Sequence, residues 1–424
     1  MQTLSIAEES TAGKVEVQKP TLANPRSGIA VGLLTGCKDK PYVFGLATAL
    51  ASKGVRLDII GSNEIDSPEL HTSGLRFLDL FARYESGANF AHKLWNVLAY
   101  YGALVRYAAL SSPKVLHILW NNKFELFDRT ILMFYYKLLG KRIVFTAHNV
   151  NQGKRDAKDS WLNRVTLNIQ YRLCDHIFVH TPRMKEELCE HFAVTEDTVS
   201  VIPFPVNNAL PNTRLTPAEA KRRLGLGSEE KVILFFGRIR PYKGIEHLLD
   251  AFRVLSAKKE ENYRLIIAGE PIKGCEGYLQ QLRKSLGNDV DQDQIIWRTE
   301  FIPDADVEIY LKAADVMVLP YKEIFQSGVL FLAYAFGLPV VATDVGSFRE
   351  DIVDGRTGFL CNPEHPEDMA KVIERYFTSD LFQNPDVRRE IKDYANAHHS
   401  WSAVADATCG VYSKMSEWNS SRAN

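Results

Sequence analysis

Cysteine is scarce and scattered in this chain: six residues in 424, at Cys37, Cys174, Cys189, Cys275, Cys361 and Cys409, with no C-x-x-C pair and no histidine at zinc-ligand spacing. The pattern excludes a zinc ribbon written into the sequence and reads as reduced thiols. Neither sign of charge is in excess, with 51 Lys and Arg against 52 Asp and Glu. Nucleic acid is therefore not an expected partner, and any grip on phosphate has to be local. No apolar run is long enough to cross a bilayer; the most apolar long window, Val97–Leu110, is too short and carries Arg106. Residues 1–27 lack the basic start and apolar stretch of a signal peptide, mixing Glu8, Glu9, Lys14 and Glu16 with Ser, Thr and Pro. They are expected to form a disordered tail, and the chain to be cytoplasmic, with peripheral contact at the inner face of a membrane left open.

What is present is alternation. Short Val/Ile/Leu runs at 29–34, 55–60, 115–119, 142–146 and 176–179 are separated by helical lengths such as 43–53, 91–109 and 184–191. Near-continuous apolar runs mean parallel strands covered on both faces. The pattern ends at 199–205, a linker rich in Pro, Asn and Thr follows, and strands restart at 232–236, 265–268, 294–297, 316–319, 340–342 and 358–360. The expected fold is α/β, with two facing Rossmann-like domains and a cleft between them. The expected boundaries are 28–205 and 206–401, with a helix at 402–424 returning to the first domain.

Two segments carry the chemistry. In Phe235-Phe-Gly-Arg-Ile-Arg-Pro-Tyr-Lys-Gly244, a buried strand runs into Gly237 and a helix begins near Ile245. Ligands of open α/β sheets bind outside the carboxyl ends of strands, so Arg238, Arg240 and Lys243 stand where a diphosphate is gripped, and Gly237 and Gly244 permit close backbone approach. In the segment 319–339, a strand ends at Leu319 and a helix starts near Ser327, so the amides of Ser327, Gly328 and Val329 form an anion site. Solvated loop charges and an ordinary serine cap are the plainer alternatives.

These two loops, with Ile266-Ile-Ala-Gly-Glu270, Ala314-Asp-Val-Met-Val-Leu-Pro320, the run 337–346 and the run 351–360, resemble the nucleotide-binding half of the retaining glycosyltransferase family numbered four, the group 1 glycosyltransferases of GT-B architecture. The resemblance spans 199–376; the first domain matches through Val115-Leu-His117 and Phe145-Thr-Ala-His-Asn149. It implies a hexosyltransferase that moves a sugar from a nucleotide diphosphate to a glycan, a glycolipid or a small hydroxyl acceptor, with retention of configuration, as in polysaccharide biosynthesis. Arg238 and Lys243 would hold the donor diphosphate beside Gly237, Ser327, Gly328 and Val329 would give amides to the distal phosphate, and His148 would face the sugar. Glu270 belongs to the loops that read base and sugar. A satisfied structural histidine is the plainer alternative for His148 and for His117, which lies within a strand.

One position departs from the family. Two glutamates separated by seven residues are usual, and registering on Gly337-Leu-Pro339 puts Leu332 at the second and Glu323 one residue from the first. Glu323 is the candidate to replace the first catalytic carboxylate. Glu323 or a backbone carbonyl of the Gly346 loop is expected to take the ribose. The Asp304-Ala-Asp306 and Asp289-Val-Asp291 pairs read as structural, with Asp304 preceding a helix as its cap, and no metal and no cofactor are expected. The acceptor is expected against the loop containing Gly36, Lys38 and Asp39. The aromatic stretch 90–107 admits a membrane contact and a lipid-linked acceptor, against the plainer reading of a core-facing helix. A degenerate, non-catalytic scaffold and a nucleotide-sugar epimerase are the rival functions.

Overall fold

The computed structural model describes residues 28–80, 90–151, 153, 159–206, 210–258, 261–286 and 292–420. The N-terminal tail at 1–27 and the Asp289-Val-Asp291 pair lie outside the described residues.

Two wholly parallel sheets form. The first contains β1 (Ala30–Leu34), β2 (Arg56–Gly61), β3 (Leu75–Asp79), β4 (Val115–Ile118), β5 (Arg142–Thr146), β6 (His176–Val179) and β7 (Val199–Val201), ordered β3-β2-β1-β4-β5-β6-β7. The second contains β8 (Lys231–Phe236), β9 (Tyr263–Ala268), β10 (Ile295–Arg298), β11 (Val316–Leu319), β12 (Val340–Thr343) and β13 (Gly358–Cys361), ordered β10-β9-β8-β11-β12-β13. Both orders are those of the doubly wound Rossmann fold, which reverses direction between β1 and β4 and again between β8 and β11. Val232, Ile233, Leu234 and Phe235 of β8 are all fully buried, as a strand covered on both faces requires.

The helices that shape the site are α1 (Lys40–Ser52), α2 (Phe90–Leu110), α3 (Met133–Leu138), α4 (Trp161–Leu173), α5 (Pro182–Phe192), α6 (Ile245–Ser256), α7 (Gly328–Ala335) and α8 (Trp401–Ser420). One face of the first sheet is covered by α2 to α5, whose Leu104, Met133, Leu167 and Leu188 share a core. The other is covered by α1 and α8, through Leu46, Val404 and Tyr412. The chain thus crosses back after the second sheet. The ring of Trp401 occupies the space that a Cβ on Gly45 of α1 would need, 2.0 Å from the nearest ring carbon. The hydroxyl of Tyr412 meets Nδ1 of His117 at 2.6 Å, while Thr146 Oγ1 takes its Nε2 at 2.7 Å. His117 is thereby a satisfied core histidine, its imidazole pushed down to about 3 by burial.

β3 has no counterpart among the expected strands. Asp304 is the first residue of the helix Asp304–Ala313, with Pro303 at the cap, so Asp304 and Asp306 lie in the first turn, where acidic side chains favour the helix dipole. Among the described residues no helix is long and apolar enough to cross a membrane.

Candidate functional site

The crevice at the carboxyl ends of β8 and β11 is built by backbone packed on backbone. Gly244 has φ of 62°, and a Cβ there would stand 2.1 Å from the carbonyl oxygen of Pro320. A Cβ on Gly269 would lie 2.3 Å from the carbonyl oxygen of Gly237. Only glycine permits both the left-handed turn and that approach. Ile239 is fully buried and bridges to Pro271, which anchors the loop so that the residues either side of it project.

Lys243 ends a short 3-10 turn, Pro241–Lys243, and is buried, with its ammonium 5.1 Å from the Tyr321 ring centre and 5.7 Å from that of Phe235. Two aromatic faces hold this cation at the strand end. Its Nζ is 3.1 Å from the point where a Gly237 side chain would begin, so the glycine leaves the ammonium accessible to a ligand above the strand. Arg238 is different in kind: 68% of its side chain is exposed, and its Nε is 3.8 Å from Glu270 Oε1, a loose pair that frees the guanidinium to swing.

The helix α7 completes the crevice. Its cap, Ser327, is buried and makes no side-chain capping bond. Leu330 to Tyr334 bury the body of the helix, while Gly328 at its start is exposed. Free amides and the positive end of the helix dipole therefore open into the crevice. The loop before α7 is braced from behind by Asp351, whose Oδ2 accepts from Ser347 Oγ at 2.7 Å and Gln326 Nε2 at 3.0 Å. Burial pushes that carboxyl up to about 7. The same loop reaches the other domain, since Phe325 packs on the core beneath α2 to α5. Sequence reading missed Asp351. Glu323 is exposed, and Lys322 pairs with Glu246 instead.

From the first domain, His148 follows β5 and His180 follows β6. The His148 ring is stacked on Trp120 at 4.2 Å, with planes 5° apart, and meets the edge of Tyr42 at 4.7 Å. Burial lowers His180 to about 4 and holds His148 well below its ordinary value, with the neighbouring histidines adding to the latter effect. Both rings are neutral at pH 7, and neutrality fixes the direction of their hydrogen bonds. The carbonyl of Ile202 accepts only, so His180 Nδ1, 3.4 Å away, carries the hydrogen. His180 Nε2 is then a bare acceptor for His148 Nδ1–H at 3.1 Å. His148 Nε2 is left as a lone pair, buried and without a partner. Such an atom is an acceptor waiting for a hydroxyl.

Two small pockets flank these rings. One, of 80 Å³, joins His148 to Lys38, Asn121, Asn149, Arg129 and Gln170. Asn121 and Gln170 exchange two hydrogen bonds there, at 3.1 and 2.7 Å, which presents neutral amides to the pocket. The other, of 170 Å³, lies between the domains and brings Asp39, Tyr42, Phe204 and Trp401 against Gly328, Val329 and Leu332. The structure therefore separates two residues that sequence reading grouped. Lys38 joins His148, whereas Asp39 faces Leu332. Asp39 also caps α1 by accepting from the Tyr42 amide at 3.1 Å, and desolvation raises its carboxyl. Gly36 turns the chain at φ of 58°, where a Cβ would stand 2.7 Å from the Trp120 carbonyl oxygen. Neither pocket is lined by Glu323. A larger hollow of 670 Å³ between α4 and α5 holds neither His148 nor any donor-loop residue. Among the described residues no group of three or more His, Cys, Asp or Glu is placed to hold a metal ion.

Residues 41–210 match the family model described as Glycosyltransferase Family 4, and residues 218–398 match the one described as Glycosyl transferases group 1. The D-inositol 3-phosphate glycosyltransferase of Corynebacterium diphtheriae is 28% identical over 97% of this chain and 95% of its own length. Sucrose-phosphate synthase from Thermosynechococcus elongatus has the same fold, with a TM-score of 0.70 at 19% identity over 92% of this chain and 99% of the other. So does Anabaena HepE, solved in complex with UDP-glucose, with a TM-score of 0.70 at 15% identity over 91% of this chain and 99% of the other.

Proposed function

Because the chain belongs to the group 1 glycosyltransferases of GT-B fold, we propose that it moves a hexose from a nucleoside-diphosphate sugar to a hydroxyl acceptor with retention of configuration and without a metal ion. The observation that carries this reading is the pairing across one cleft of a cationic, amide-lined crevice with an unpartnered imidazole lone pair.

The chemistry follows from charge. Breaking the bond from sugar to diphosphate builds positive charge on the ring and negative charge on the leaving oxygen. Lys243, Arg238 and the start of α7 are preorganised for that anion, with no need to reorganise solvent as it forms. His148 Nε2 accepts from a hydroxyl of the donor sugar and so fixes the ring over the crevice. The leaving phosphate oxygen takes the acceptor proton on the face it departs from, which serves retention without a dedicated base. The acceptor hydroxyl enters from the His148 and Asn121 side.

UDP-glucose is the first donor to test, given the HepE complex, and a phosphorylated polyol the first small acceptor, given the inositol-phosphate relatives. A thermal-shift panel of nucleotides and nucleotide sugars, followed by product analysis with the donor that binds, tests the reading. A ligand at a hundred times its Kd stabilises by about 2.7 kcal/mol. Absence of any shift across the panel, with no donor turnover, would remove the proposal.

A further inference from the structure

Fourteen large apolar side chains are exposed among the described residues, and eleven of them fall between Leu94 and Leu162. They are not scattered over the domain. Helices α2, α3 and α4 bury their inner sides in one core, so their outer sides form one layer. Tyr135 of α3 donates to the Val105 carbonyl of α2 at 3.1 Å, and Arg129, just before α3, donates to Asn163 of α4 at 2.8 Å, which ties the layer together. Trp95 is 68% exposed, Ile131 61%, Leu138 86% and Trp161 77%. Along α2 the exposed positions from Leu94 to Leu110 are apolar except Arg106. A contiguous face of this kind on a soluble domain marks a contact surface.

The charges on the same layer identify the contact. From 94 to 172 the exposed charged residues among those described are five cations, Arg106, Lys114, Lys123, Arg164 and Arg172, and a single anion, Glu125; Glu125 is paired with Arg129 and Arg164 with Asp159, both at 2.6 Å. The whole chain is balanced at a formal charge of −1, so this is a local excess. A second copy of the chain would bring cation against cation. Exposed tryptophans and leucines among cations are what an interfacial helix layer needs on an anionic bilayer. The face also reaches the site: Glu125 and Arg129 line the pocket beside His148, and Phe124 and Leu126 next to them are exposed.

We propose that this face docks on an anionic lipid bilayer and holds the acceptor pocket at the headgroup layer, where a membrane-borne hydroxyl enters. The second half of that statement rests on the function proposed above; the docking does not.

The test is co-sedimentation of the full chain with vesicles of phosphatidylcholine alone and with phosphatidylglycerol added. Docking predicts at least ten-fold greater partition onto the anionic vesicles, and loss of that gain at high salt. The double variants Phe134→Asp with Leu138→Asp, and Arg106→Glu with Lys123→Glu, lower the partition by at least ten-fold each. Both keep the wild-type thermal midpoint and nucleotide-induced shift, which shows that they fold. Absence of partition onto either vesicle overturns the proposal, as does equal partition by the variants. So does a dimer, seen by size exclusion, that the Leu138→Asp variant dissolves. Vesicle binding that fails while nucleotide binding persists defeats docking alone; nucleotide binding that fails while docking persists defeats the proposed function alone.

Discussion

Nδ1 of His148 lies 3.1 Å from Nε2 of His180, and the direction of that hydrogen bond decides what the cleft presents to a sugar. With His180 anchored to the Ile202 carbonyl, His148 donates backward and accepts forward.

Removing the anchor frees the tautomer. His180→Ala is expected to lower kcat/KM by about 5- to 150-fold, the cost of roughly 1–3 kcal/mol for an unsatisfied buried group. His180→Gln keeps an acceptor for His148 Nδ1–H and should recover much of the loss. A purely structural role for His180 would not discriminate the two variants at equal thermal stability, so steady-state kinetics on folded protein decides.

Acid should unfold the chain through these rings. The folded His180 is held down at about 4 while the unfolded value is ordinary, near 6.5, so the unfolded chain takes the proton first. Its stabilising effect is full above the unfolded value and is lost as pH falls toward 4, at up to about 1.4 kcal/mol per unit. Asp128, raised to about 6 by burial, and Asp351, raised to about 7, contribute with the opposite sign, so the comparison has to be differential. The melting temperature of His180→Gln should fall less than that of wild type between pH 6.5 and 4.

Donor affinity should divide unequally between the two cations. Lys243→Met keeps the packed stem and removes a buried charge, and Arg238→Ala removes an exposed one. A charge-assisted contact contributes roughly 1.5–3 kcal/mol, so Lys243→Met should weaken nucleotide-diphosphate binding by about 10- to 150-fold and Arg238→Ala by less. Calorimetric titration measures both, and unchanged binding in both variants would refute the phosphate assignment.

Ribose recognition has a defined place to look. Leu332 offers no hydrogen bond, and the carboxylate sharing its pocket is Asp39, from the opposing domain. We expect a ribonucleoside diphosphate to bind about 10- to 150-fold more tightly than its 2′-deoxy analogue, since a hydrogen bond from that hydroxyl to a carboxylate contributes roughly 1.5–3 kcal/mol. Asp39→Ser retains the helix cap but is too short to reach, and should erase the preference. Glu323→Ala should leave it intact. Loss of the preference in Glu323→Ala alone would return the role to Glu323.

Turnover should survive EDTA, because cationic side chains and helix amides already face the leaving group. Loss on chelation, with recovery in Mn²⁺ or Mg²⁺, would contradict that.

The second sheet was legible strand by strand, since β8, β9, β11, β12 and β13 are largely buried apolar runs, and the edge strand β10, though only Ile295 is buried, still opens on the apolar run Ile295-Ile-Trp297. The edge strand β3 was not: Leu75 is buried but Arg76 and Asp79 are exposed, so the run lacks the continuous apolarity that marks the others. The loop after β8 was legible as a candidate site because glycine, lysine and arginine at a strand end have a local meaning. The histidine pair was not, since His180 stands 32 residues beyond His148 and acts only through the parallel pairing of β5 with β6. The departure at Leu332 was legible by register, but its cross-domain neighbour Asp39 required the fold.

The return of α8 sets an order on biosynthesis. Val404 and Tyr412 form part of the wall of the first core, and the segment that carries them is made after the whole second sheet. The first sheet emerges from the ribosome with one face short of a helix and His117 short of its Tyr412 partner. It stays so while roughly 200 further residues are made, about 10–40 s at roughly 5–20 residues per second. A nascent chain of this protein is therefore a long-lived client for whatever shields exposed apolar surface at the tunnel exit, and the first core closes only when α8 has been made.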